Sequence, residues 1–335
     1  MFIKNSFIID GSYMLHRSLR VPDTFDLHDS KGRGSGGIFL FFRLFVYELN
    51  SLQNNLALPL VVFDHGLSER RTALFPNYKR RLDKQKKKEL FESGSLNEDE
   101  KAAYEEDMMY LSEYHSQMGV IISVLQKMGV PVLHFDGWEG DDVITICTRI
   151  SAKSTVVTDD KDMIQLLSPS TNIRRPMHKD TLIYDEYQKE NNDPKMRKFV
   201  IEKAITGDPS DNIPQVAAGI GAKSAKTIAD IIVESPSEWK ERIQNDKSKR
   251  IRMFLDPEKN PDSIENLKRN MEMIDLSKVE TDISIVNTIF SEIQNAQVPN
   301  MPQATAILND YDIRDIDMFS FSDYMTRVFE NNRLL

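Results

Sequence analysis

The sequence predicts an α/β fold, a central and mostly parallel sheet flanked by helices, followed by a helical C-terminal region. Three observations predict it. Short runs such as Phe7-Ile8-Ile9, Leu60-Val61-Val62-Phe63, Val132-Leu133-His134-Phe135 and Val156-Val157 read as buried strands. The segments between them are long enough for crossover helices, which parallel neighbours require. After Asp185 the strand signals stop and helical segments take over.

Each element has its own reason. Residues 32–37 are glycine-rich and read as a flexible loop, and residues 38–52 are apolar enough for a buried helix. Residues 76–105 form a polar, highly charged insertion without strand signals, too long for a routine connection and therefore either disordered or functional. An amphipathic helix is expected over 106–128, stopped by Gly129, with a strand from Pro131. Residues 139–150 should form a helix with acids in its first turn, and 161–167 a shorter one. Residues 199–206 read as a helix ending at Gly207, 256–263 as a loop with Pro257 and Pro261, and 264–335 as further helices. The turn Gly219-Ile220-Gly221-Ala222-Lys223 feeds another helix and presents free backbone N–H groups that suit a phosphate. On residues alone such a turn is more often a plain helix-to-helix connection.

At 335 residues and 40% hydrophobic content the chain can bury a sizeable core. Its one cysteine, Cys147, lies in an apolar stretch, which excludes a disulfide framework and fits a reducing compartment. No stretch approaches the ~18 apolar residues of a membrane span, and the N-terminus leads straight into a strand, so a soluble cytoplasmic protein is expected. The net charge of −9 is uninformative about nucleic acid, because setting aside nine acids of the candidate site leaves a neutral remainder. Local charge says more. Residues 79–88 carry Lys79, Arg80, Arg81, Lys84, Lys86, Lys87 and Lys88 against Asp83 alone.

Those nine acids recur in a fixed order: Asp10, Asp64, Glu139, Asp141, Asp142, Asp160, Asp162, Asp208 and Asp211. Most follow a short apolar run, which places them at the carboxyl ends of parallel strands, where the crevice of an open α/β sheet lies. Carboxylates that converge there repel one another, and a cation is the natural remedy. Oxygen-only ligands favour hard ions, Mg²⁺ or Mn²⁺, and the six histidines are too scattered for a zinc site. The number of acids favours two ions, the arrangement that clamps an in-line displacement at phosphorus. Phosphodiester hydrolysis is the implied chemistry.

The motifs Asp10-Gly11-Ser12, Val62-Phe63-Asp64, Gly137-Trp138-Glu139-Gly140-Asp141-Asp142, Thr158-Asp159-Asp160-Lys161-Asp162 and Gly207-Asp208-Pro209-Ser210-Asp211-Asn212-Ile213-Pro214 resemble those of the structure-specific 5′-nucleases. That family comprises flap endonucleases and 5′-3′ exonucleases. The likeness covers roughly residues 5–235, and with no polymerase domain following it is nearest to the free-standing phage-type members, ribonuclease H among them. The resemblance implies a PIN-like nuclease core over 1–185, with the charged insertion 76–105 as a helical arch. It implies a helical DNA-binding region over 186–335, with a helix-turn-helix near 207–233. It places Asp10, Asp64 and Asp141 on a first metal, with Glu139 acting directly or through water, and Asp160, Asp162 and Asp208 on a second. Asp142 and Asp211 would act from the outer shell.

The resemblance also implies that Lys79, of the pair Tyr78-Lys79, approaches the scissile phosphate. Arg17, Arg43, Arg80, Arg81, Gly219, Gly221, Lys223 and Lys226 would contact DNA. K⁺ is implied at the glycine turn, although Gln215-Val216-Ala217-Ala218-Gly219 is one residue longer than the family's usual approach and lacks its first glycine. Leu82 stands where the family often places an arginine. The implied substrates are duplex DNA and RNA–DNA hybrid with a free 5′ single strand, cut by a monomer during replication primer removal. Replication proteins such as a single-strand binding protein or clamp are implied as partners, with the host cytoplasm as the location if the chain is phage-encoded. Two alternatives stay open on the residues: a non-catalytic junction-binding protein of the same fold, and a two-metal phosphatase for small substrates.

Overall fold

A computed structural model describes residues 2–52, 56–79, 82–191, 193, 196–296 and 298–330. Arg80 and Arg81 lie outside the described residues. The first elements are β1 (Ser6–Asp10), α1 (Gly11–Arg20), α2 (Gly36–Asn50), β2 (Leu58–Val62), α3 (Glu69–Leu74), α4 (Leu82–Glu92) and α5 (Glu98–Lys127). There follow β3 (Val132–Leu133), α6 (Gly140–Arg149), β4 (Ser154–Val157), a 3₁₀ helix (Lys161–Leu166), β5 (Thr171–Arg175) and β6 (Asp180–Leu182). The rest is helical: α7 (Tyr184–Asn191), α8 (Arg197–Thr206), α9 (Ala222–Glu234), α10 (Trp239–Gln244), α11 (Lys249–Arg252), α12 (Ser263–Ile274), α13 (Ile283–Asn295), α14 (Met301–Asp310) and α15 (Met318–Glu330).

The sheet runs β3-β2-β1-β4-β5-β6, parallel throughout except for the antiparallel β5–β6 pair. β1 and β2 are buried on both faces, as helix-covered parallel strands must be, hence their unbroken apolar runs. Register aligns the strand ends. Asp10 pairs with Val62, Ile9 with Val157 and Val62 with Leu133. The residues just beyond these strands therefore emerge on one edge, and the chain reverses its strand order beside β1, where the crevice of such a sheet opens.

β5 and β6 carry no apolar run and so no strand signal. Their sequences are TNIRR and DTL, and only Ile173 among their large apolar side chains is fully buried. Charge is tolerated because β6 is a short sheet edge, and the Arg174 Nε donates to the buried Glu48 at 2.8 Å.

Within the charged insertion, α4 and the start of α5 are helical, and turns precede α4 and join the two. α5 begins eight residues before the expected start at 106, because Asn97 and Glu100 form a reciprocal capping box and Glu98, Asp99 and Glu100 meet the positive end of the helix dipole. Phe91 and Tyr104, with ring centroids 4.7 Å apart, join α4 to α5. The short helix expected over 161–167 is a 3₁₀ helix, capped by the Asp160 side chain.

Two apolar clusters fill the interior. One contains the sheet, α1, α2 and the inner half of α5, and also Leu276, Val279 and the buried faces of α13, α14 and α15. The second joins α8, α9 and α12 around Ala204, Ile228 and Phe254, and it includes Tyr78 from the base of the insertion. Among the described residues no helix is long and apolar enough to cross a membrane.

Candidate metal centre

The nine acids meet at the carboxyl edge of the sheet. Asp10 ends β1 and caps α1, accepting from the Tyr13 N–H at 2.9 Å and from the Thr158 hydroxyl at 3.0 Å. Asp64 lies two residues past β2; its Oδ1 accepts from the Gly140 N–H at 2.7 Å, and its own N–H donates to the Ser12 hydroxyl at 2.8 Å. Gly140 suits that position, since a Cβ there would crowd the carboxylate oxygen at 3.0 Å. Glu139, Asp141 and Asp142 sit at the start of α6, and among the described residues they form the group whose possible metal-ligand atoms all lie within 4.8 Å of one another.

Electrostatics links the rest into one network. Burial, with Asp64 and Asp160 nearby, raises the Asp10 carboxyl to about 7. Asp160 is raised by burial and by the charges of Asp162 and Asp141. Burial raises Asp142 to about 6, with Asp141 adding to the rise and Arg71 opposing it. Asp211 rises to about 6 through burial against the pull of Lys79, with Asp208 and Glu139 adding to the rise. Asp159 belongs elsewhere. It accepts from the Tyr13 hydroxyl, the Met177 N–H and His178 Nδ1, which hold it below the usual carboxylate range against its burial.

Three protein cations stand among these acids. The Arg71 guanidinium contacts Glu139 at 2.5 Å, Asp141 at 3.0 Å and Asp142 at 2.9 Å, while its Nε donates to Met273 O at 2.9 Å. Lys79 reaches Glu139 at 2.6 Å and Asp211 at 3.7 Å. Lys203 on α8 bridges Asp162 and Asp208, the latter at 2.9 Å. The Tyr78 hydroxyl donates to Glu139 at 2.9 Å, and burial keeps that phenol protonated. Neither Arg71 nor Lys203 stands out in the sequence. Arg71 is one of two consecutive arginines in an exposed-looking segment and Lys203 one of many lysines, so composition carries no signal for either.

The donor set suits a divalent hard cation. It is all oxygen, it holds more acids than its resident cations neutralise, and Asp142 Oδ1 is buried without a hydrogen bond although Arg71 Nη2 lies 2.9 Å away. Glu139, Asp141 and Asp142 could hold one ion, with Asp10 and Asp64 on the facing strands. Asp160, Asp162 and Asp208 could hold another.

The expected nucleic-acid contacts are spread along the chain. Arg17 is half-buried on α1 beside Tyr13, and Arg43 is exposed on α2 with its guanidinium 5.4 Å above the Phe39 ring. Gly219 has φ +77°, the left-handed region that favours glycine. Gly221 caps α9, and Lys223 and Lys226 are exposed on its first two turns. None of these touches the carboxylates among the described residues.

Residues 5–194 match the family model of the 5′-3′ exonuclease, N-terminal resolvase-like domain. A 5′-3′ exonuclease of Aquifex aeolicus (strain VF5) is 27% identical over 238 residues, covering 68% of this chain and 69% of its own length. The DNA polymerase I of Deinococcus radiodurans is 30% identical over 223 residues, covering 65% of this chain and 20% of its own. Among solved structures, the bacteriophage T5 flap endonuclease in complex with DNA and metal ions aligns with a TM-score of 0.56 at 20% identity, over 92% of this chain and 100% of its own. Flap endonuclease-1 from Methanococcus jannaschii aligns at 0.55 and 17% identity, over 98% and 93%. These two likenesses are of fold, whereas the matched domain spans more than half of the sequence: the chain belongs to the 5′-3′ exonuclease family of nucleases.

Proposed function

We propose that the chain hydrolyses phosphodiester bonds at 5′ flaps, nicks or RNA primers on duplex DNA, and that it serves primer removal in replication. The observation that supports this most is the convergence of nine carboxylates from separate segments on the edge that also receives Lys79 from the base of the charged insertion. Asp10, Asp64, Glu139 and Asp141 would hold a first Mg²⁺ or Mn²⁺ ion, and Asp160, Asp162 and Asp208 a second. Asp142 and Asp211 would act from behind them. When bound, such ions activate water and stabilise the leaving oxygen in displacement at phosphorus.

The protein's own groups supply the rest. Lys79 carries a charge strengthened by Glu139 and Asp211 against its burial, and it neutralises the phosphate that enters the acidic edge. Arg71 holds the α6 acids in place. We assign chemistry to residues 1–185 and duplex binding to 186–335, with a helix-turn-helix near 207–233 whose Gly219–Gly221 turn and Lys223 and Lys226 contact backbone phosphates. Arg17, Arg43, Arg80 and Arg81 would add contacts, and K⁺ at the turn, action as a monomer in the cytoplasm and a replication partner belong to the same reading.

The test is cleavage of a 5′-labelled flap or nicked duplex with Mg²⁺, with excess chelator, and by Asp141→Asn. Metal-dependent release of short 5′ products, reduced by orders of magnitude in the variant while binding persists, is the expected result. Tight binding without cleavage would instead indicate a junction-binding protein.

A further inference from the structure

Two of the cations at the centre, Arg71 and Lys203, are anchored differently. Arg71 is 2% exposed and fixed from three sides, by the α6 acids, by Met273 O through its Nε and by packing in α3. Lys203 has no such second anchor among the described residues. Its side chain keeps 22% exposure, and its partners are the carboxylates of Asp162 and Asp208, which come from different segments. Burial disfavours its charge, yet the two acids outweigh that and keep it protonated.

A single ammonium lies between those two acids. A divalent ion held by these two carboxylates would compete with that ammonium for their oxygens. An ammonium held within ~4 Å of that ion would be strongly repelled. A lysine can yield, because its four-carbon stem is flexible and its head is readily hydrated, whereas a fixed guanidinium cannot.

We propose that Lys203 is a positioning residue that acts as the exchangeable counter-ion of the Asp162–Asp208 pair. It holds these carboxylates at bridging distance in the metal-free protein and is expelled to the rim when a divalent ion binds. This rests on the reading that Asp162 and Asp208 ligate an ion. Two consequences follow. The ion at this pair binds more weakly than it would without Lys203, because it must displace an internal cation. A nucleic-acid phosphate at the rim would neutralise the displaced ammonium, so substrate and this ion would strengthen each other's binding.

The experiment is calorimetric titration of the full chain with Mn²⁺, for the wild type, Lys203→Met, Lys203→Gln, Lys203→Arg and Asp208→Asn, each checked for folding by circular dichroism. The expected result is two ions on the wild type, with one of them absent in Asp208→Asn. Lys203→Met and Lys203→Gln should tighten that ion by about tenfold or more and change the other by less than about threefold. Lys203→Arg, which keeps the charge, should leave that ion bound as in the wild type. If Asp208→Asn loses an ion but the neutral Lys203 variants bind it no more tightly than wild type, the counter-ion role is overturned while the two-ion reading stands. If Asp208→Asn binds as many ions as wild type, the placement of an ion at Asp208 falls, and the counter-ion role with it.

Discussion

Lys79 Nζ lies 2.6 Å from Glu139 Oε1, and the backbone N–H of the same lysine donates to Asp211 O at 2.9 Å. One residue thus ties the base of the charged insertion to both the α6 acids and the loop after α8. Its φ of +47° is uncommon for a side-chain-bearing residue and is held by those two interactions.

Lys79→Ala should therefore slow cleavage more than it weakens docking. We expect single-turnover cleavage to fall by roughly 10²-fold, the scale of removing one electrostatic stabiliser, with the Kd for nicked duplex changing by less than about threefold. Rapid-quench kinetics alongside fluorescence anisotropy measure the two. An equal fall in both would make Lys79 a phosphate anchor only.

Arg71→Leu removes the guanidinium and leaves Glu139, Asp141 and Asp142 facing one another. Breaking a buried ion pair by removing one partner costs about 3–5 kcal/mol, and urea denaturation in chelator should show a loss of that order. Added Mn²⁺ should recover part of it, since an ion supplies the missing charge. A variant as stable as wild type in chelator would show that Arg71 is not what holds these acids together.

Metal-free stability should fall as pH rises. Asp10 titrates near 7 in the folded chain, and Asp142 and Asp211 near 6, against about 3.9 for a free aspartate. Between about pH 4 and pH 7 the folded state holds these protons and the unfolded state does not, so this contribution is present below pH 4 and is lost as pH passes 7. Divalent ions need the same groups deprotonated, so Mn²⁺ should raise Tm more at pH 8 than at pH 5.5. Asp10→Asn should flatten the pH dependence of Tm in chelator, and an unchanged slope would remove Asp10 from the buried network.

Lys223→Ala with Lys226→Ala should weaken binding to duplex DNA and reduce its dependence on salt. Each phosphate no longer neutralised lowers the slope of log K against log salt by about 0.9, so the pair should lower it by up to about 1.8. Cleavage of bound substrate should change little, because neither lysine touches the carboxylates. An unchanged slope would place the duplex away from α9.

Strand cores and the acids after them were legible because burial on both sheet faces forces apolar runs, and the residue that follows such a run has one place to go. Other features were not legible, for physical reasons. β5 and β6 pair through polar side chains at a sheet edge, so they carry no hydrophobic period. The early start of α5 depends on the Asn97–Glu100 capping box, a signal hidden inside a charged run. Asp159 reads like Asp160 and Asp162, and only the side chains of Tyr13 and His178 show that it faces away from them.

By itself the sequence determined the apolar strand cores, the acids that follow them along the chain and the family to which the chain belongs, because these depend on local pattern and on motifs contiguous in the chain. Tertiary structure alone decided which cations neutralise those acids. Arg71, Lys79 and Lys203 reach their partners across 60 or more residues of chain in the first two cases and 41 in the third, through pairings that no local spacing encodes. Long-range electrostatic pairing depends on where whole elements pack, and that is settled only when the apolar clusters beneath them close.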